Sequence, residues 1–141
     1  MLVESVRKIK FKFELNWVFA LERDNVKKII KEWILRINND EVLPDNIEAL
    51  NFGLFESYGI ELIGALTYDA EDDDWACEED FIPKERECSE LNIDDECEWE
   101  TVLNEIQMIL KELVDELKEL PLLNVKHITT GFCDGDLIVV K

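Results

Sequence analysis

Basic residues almost vanish between Asn38 and Glu100. That stretch holds only Lys84 and Arg86 against 22 acidic side chains, a net charge of −20 where the whole chain carries −19. A field of this sign repels nucleic acid and anionic membrane, which excludes both as partners, and attracts basic proteins over roughly a Debye length, about 8 Å at physiological salt. Histidine is nearly absent too: His127 is the only one, so no histidine pair exists to share a metal ion. The five glycines, Gly53, Gly59, Gly64, Gly131 and Gly135, fall in or beside expected strands rather than ahead of a helix, and this excludes a phosphate-cradling nucleotide loop. No apolar run approaches the roughly eighteen residues needed to span a bilayer, and the N-terminus lacks a basic, apolar, small-residue cleavage pattern, so a cytoplasmic protein is expected. The four cysteines, Cys77, Cys88, Cys97 and Cys133, match no CxxC or zinc-knuckle spacing. Reduced thiols are the expected state, ahead of a disulfide pair.

What is present argues for one folded domain over residues 1–141. Hydrophobic content is 47%, ordinary for a globular protein, and it is arranged periodically. From Ile9 to Phe19 every odd position is apolar, the period of a half-buried strand. Asp24 offers an N-cap, and Val26, Ile29, Ile30, Trp33, Ile34 and Ile37 follow at helical spacing until Asn38-Asn39-Asp40. Ile47 to Glu56 and Ile60 to Tyr68 predict a hairpin around Ser57-Tyr58-Gly59, with Gly59 at positive φ. A second helix starts at Asp94 or Asp95 and carries Trp99, Val102, Leu103, Ile106, Ile109, Leu110, Leu113, Leu117 and Leu120 on its core stripe before Pro121 stops it. Val125 to Thr130 and Leu137 to Val140 predict a closing hairpin turned at Asp134-Gly135.

The order β-α-β-β-α-β-β predicts an α+β fold, an antiparallel sheet of about five strands with both helices packed on one face. Its first six elements match a split βαβ arrangement in order. Between the second and third strands and the second helix, residues 69–95 show neither period, and a loop of that length inside a domain is usually functional or disordered.

That loop carries the densest charge, eight carboxylates in the twelve residues Asp69 to Asp80. As a calcium loop it fails: Asp74 stands where the turn needs glycine, and Asp80 where a bidentate glutamate belongs. With 34 carboxylates in the chain, pairs fit for acid–base catalysis are inevitable and none is singled out. His127 and Cys133 lie six residues apart along one expected strand, about 20 Å, too far for a catalytic dyad. Lys8, Lys10 and Lys12 alternate with Phe11 and Phe13 and so fall on the opposite strand face from these rings, unlike a base-stacking platform. No catalytic, metal-binding or cofactor-binding residue is assigned. Trp75 stands alone among the charges, with two readings open: an interface anchor presented to a partner, or a pin, with Phe81, that holds the loop to the core.

The hairpin running into Thr67-Tyr68-Asp69-Ala70-Glu71-Asp72-Asp73-Asp74-Trp75-Ala76-Cys77, then Phe81-Ile82-Pro83, and the closing Gly131-Phe132-Cys133-Asp134-Gly135-Asp136 resemble small acidic bacterial immunity proteins of polymorphic or contact-dependent toxin systems. The resemblance covers about a third of the chain. It implies a non-enzymatic cytoplasmic inhibitor that covers the active-site surface of a basic toxin domain, often a nuclease. The residues expected to meet a basic partner are Asp72, Asp73, Asp74, Glu78, Glu79 and Asp80 for charge and Trp75 as anchor. The other classes compatible with the composition are a carboxylate-rich metal-binding protein or metal-dependent enzyme, and an inhibitor that mimics DNA.

Overall fold

The computed structural model describes residues 22–141. The predicted strand Ile9 to Phe19 lies outside them. Helix α1 covers 22–40 and is followed by strand β1 (Ala49–Phe55), strand β2 (Gly59–Ala65), a 3-10 turn (Asp73–Cys77), helix α2 (Trp99–Glu116), a second 3-10 turn (Pro121–Leu123), strand β3 (His127–Phe132) and the short strand β4 (Ile138–Val139). The α+β class stands, with two helices and a sheet that is mixed rather than antiparallel. Its order is β2-β1-β3-β4, and β1 pairs with β3 in parallel, Leu50 opposite Ile128. β2 and β3 consequently run in opposite directions on either side of β1, so the connection through α2 is not a split βαβ.

The helices explain the parallel pair. Arg23 pairs with Glu105 at 2.9 Å and Glu112 at 3.0 Å, Lys27 with Glu112 at 3.3 Å and Glu116 at 2.5 Å, and Lys31 with Glu116 at 3.5 Å. Residue numbers rise together along this zipper, so α1 and α2 lie side by side in the same direction. Each then returns the chain to the sheet from the same end, and the strands that follow, β1 and β3, must run alike. Hydrogen bonds from Arg23 and then Lys27 hold the Glu112 carboxyl below its ordinary range, outweighing the opposing effect of desolvation.

Side chains alternate across the sheet as a pleat requires. One face gives Leu50, Phe52, Leu54, Ile60, Leu62 and Ile128 to the main core, where Val26, Ile30, Trp33, Ile34 and Ile37 of α1 meet Val102, Ile106, Ile109, Leu110 and Leu113 of α2. The Trp33 indole packs edge-on against Phe52, ring centres 6.0 Å apart, and its Nε1 donates to the Glu85 carbonyl at 2.7 Å. The opposite face carries Ala49 and Ala65, and a buried hydrogen bond there, 2.9 Å from the Thr129 hydroxyl to Asn51 Oδ1, ties β1 to β3.

Several element ends differ from expectation for local reasons. Asp24 is inside α1 rather than at its cap. Asp94 spends its side chain on the Glu96 amide, 2.9 Å, in a separate turn, and α2 begins only after Glu98, which makes no side-chain cap. Trp99, at the first residue of α2, lies against Phe132 at the end of β3 and is 56% exposed instead of lying in the core. In the β1–β2 hairpin the positive φ falls on Tyr58 (55°), not on Gly59. Gly59 makes room instead for the Phe55 ring across the strand pair, which would have to swing aside for a Cβ there. The β3–β4 turn closes from the Gly135 amide to the Phe132 carbonyl at 3.0 Å, which makes Cys133-Asp134 its central pair.

All four cysteines are free, Cys77 and Cys133 exposed, Cys88 and Cys97 buried. Burial pushes the Cys88 thiol up to about 11 and raises Cys97 as well. Since the thiolate is the reactive form, a disulfide-exchange reagent is expected to titrate two thiols rapidly in the native protein and the other two only on unfolding. Four fast thiols would mean that the 88–97 segment is open.

Candidate functional site

The acidic loop is built around its tryptophan. Ala49 and Ala65 are direct partners across β1 and β2, and two methyl groups leave a shallow floor on that face of the sheet. Trp75 fills it and is only 5% exposed, with Tyr68, Ala76 and Leu137 packed around it. Tyr68 meets it edge-on at 5.2 Å and stacks its own ring on His127 at 3.7 Å. Trp75 is therefore a pin; the expectation that it is presented to a partner is corrected. In a segment otherwise made of carboxylates, two alanines and Cys77, the indole is the side chain with most to gain from leaving water. His127 is likewise accounted for by its stack on Tyr68, at the opposite end of β3 from Cys133.

Carboxylates shape the backbone around the pin. Asp69 Oδ1 accepts from the Glu71 amide at 2.9 Å, and Asp72 Oδ1 accepts from the Asp74 amide at 3.0 Å, capping the 3-10 turn. Asp73 Oδ2 accepts from the Leu137 amide at 3.1 Å, which fastens the turn to the β3–β4 connection. Asp80 Oδ2 accepts from the Leu66 amide at 2.8 Å. Glu78 takes a 3.4 Å bond from the Thr67 hydroxyl, and Glu79 pairs with Arg86, which also pairs with Glu61 at 3.1 Å. Of the eight carboxylates from Asp69 to Asp80, only those of Glu71 and Asp74 accept no bond among the described residues.

Beyond Asp80 the chain runs along the free edge of β2. The Gly64 amide donates to the Phe81 carbonyl at 2.9 Å and the Phe81 amide returns to the Gly64 carbonyl at 3.0 Å; the Leu62 amide donates to Arg86 at 2.9 Å and the Cys88 amide to Ile60 at 3.0 Å. The loop thus covers an edge that would otherwise be open to another strand. Phe81 and Pro83 are buried, and Arg36 of α1 clamps Glu85 and Glu90, each at 3.1 Å.

The outcome is a fixed acidic surface. Asp72, Asp73, Asp74, Glu78, Glu79 and Asp80 are all exposed, three of them on one short turn. Among the described residues no group of three or more His, Cys, Asp or Glu is gathered where it could hold a metal ion, and no helix is long and apolar enough to cross a membrane. Sequence reasoning missed the exposed Trp99 by counting it in the core stripe. Its place as the first residue of that stripe was the available signal. No family model matches the chain, and neither a curated protein nor a solved structure matches it.

Proposed function

We propose that this chain is a non-catalytic acidic binding protein of the immunity type, acting in the cytoplasm by covering a basic surface of a toxin. The observation that carries the reading is the inside-out construction of the loop: its aromatic residues face the sheet while its carboxylates face solvent on a backbone held at both ends. A charged surface held in one shape loses little conformational freedom on binding and steers an oppositely charged partner before contact. Asp74, free of internal bonds, and Glu78, weakly bonded, are the groups most available to a partner, with Asp72, Asp73, Glu79 and Asp80 adding to the field while they hold the loop.

The reading is tested in living cells. A basic protein captured from the native cytoplasm on this chain is expressed alone and together with it. The expected result is growth arrest by the partner alone and recovery on co-expression, with recovery weakened when Asp74→Asn and Glu78→Gln are combined. A captured partner that does not impair growth contradicts an immunity role.

A further inference from the structure

A groove of about 1080 Å³ lies between the tip of the β1–β2 hairpin, the first turn of α2 and the β3–β4 turn. Its walls are aromatic: Phe55, Tyr58, Trp99 and Phe132. The Phe132 ring stands 6.2 Å from Tyr58 and 6.2 Å from Trp99, the latter edge-on. Its rim is acidic, with Glu56, Asp95, Asp134 and Asp136 exposed around those rings, and among the described residues no lysine or arginine lines it. Gly131 brings the last two into place, because a Cβ there would lie 2.7 Å from the Asp136 carbonyl oxygen, and only glycine lets the turn fold so closely onto β3. The Tyr58 hydroxyl donates to the Cys97 carbonyl, fixing that ring as a wall.

We propose that this groove seats an arginine-bearing segment of the basic partner, a proposal that rests on the acidic-binding reading above. Aromatic faces attract a cation through their quadrupole, and a guanidinium suits them better than an ammonium because it is planar and stacks. Its fork of N–H donors then reaches the rim carboxylates in a bidentate fashion that a lysine cannot match. At about 1080 Å³ the groove is as large as the biggest small-molecule pockets, room enough for an arginine side chain with its flanking backbone. It also adjoins the acidic loop, since Asp73 is bonded to Leu137, the residue after Asp136. Loop and groove therefore act together, the loop drawing the partner in and the groove holding it.

The test is a titration of the isotope-labelled protein with a blocked tetra-arginine peptide, and with its citrulline counterpart, which keeps the shape and loses the charge. The amide signals of Gly135 and Cys133 and the Trp99 indole are expected to shift with the arginine peptide and not with citrulline. Trp99→Ala, at an exposed position that leaves the core intact, is expected to weaken the Gly135 response about tenfold, and Asp134→Asn with Asp136→Asn to do the same. Should Trp99→Ala lose its folded spectrum, the paired aspartate variant carries the test alone. Shifts confined to residues 72–80, with both groove variants binding like the wild type, overturn the groove while leaving the acidic surface in place. No shift anywhere at millimolar peptide overturns both.

Discussion

Truncation of Trp75 to alanine destabilises the protein by about 3 kcal/mol, at the low end of what a buried tryptophan costs, and loosens the acidic loop. The low end applies because Trp75 belongs to a small cluster with Ala49 and Ala65, separate from the main core. The alanine floor cannot extend into the space, but Tyr68, Ala76 and Leu137 around it are only partly buried and can settle or open to water. Much of the loss should therefore appear as local opening. Limited proteolysis is expected to cut within residues 69–80 at least about ten times faster in Trp75→Ala, while the far-ultraviolet spectrum of the two helices is retained. Trp75→Phe should recover most of the protection. A variant as resistant as the wild type would mean that the indole does not hold the loop, and would restore its reading as a free anchor.

Neutralising Asp74 and Glu78 to their amides slows association with the basic partner by about tenfold at low salt, and the difference shrinks as ionic strength rises. Stability should stay within about 0.5 kcal/mol, because Asp74 makes no side-chain bond and a glutamine at 78 can still accept from Thr67. The same exchange at Asp72 keeps an oxygen for the Asp74 amide, so the cap survives there too. Stopped-flow rates across a salt series check this. Equal rates for variant and wild type at every salt would show that the encounter is not guided by the loop. The dissociation rate should move less than the association rate, since rim charges act mainly on encounter and buried contacts on residence.

The two described helices and the β1–β2 hairpin were legible because their apolar residues recur at the spacing their geometry demands, and Ile106, Ile109, Leu110 and Leu113 lie in the core as that spacing predicts. The direction of β3 was not legible. It depends on α1 and α2 lying parallel, which shows only in contacts between residues far apart in sequence, such as Lys27 with Glu116, 89 residues apart. The acidity of the candidate site was plain from composition, but the fate of Trp75 was not, because its seat exists only once Ala49 and Ala65 meet across the hairpin. The 80–88 segment shows no strand period for a similar reason: it touches β2 through isolated bridges at Glu61–Glu87 and Gly64–Phe81 rather than along a continuous ladder. Trp99 was misplaced by its helical spacing, since a stripe says which face a residue shares and not how fully it is covered.

Native-state amide exchange of the loop tests the central claim most directly, that the carboxylates are carried on a backbone locked to the sheet. The amides of Gly64, Phe81 and Cys88, bonded across the β2 edge, and that of Leu137, bonded to Asp73, are expected to exchange far more slowly than those of Ala70 and Glu79, which donate no bond among the described residues. Exchange at unfolded-chain rates at Phe81, Cys88 and Leu137, while Phe52 and Ile128 stay protected, would show a loose acidic tether in place of a built surface and contradict the account.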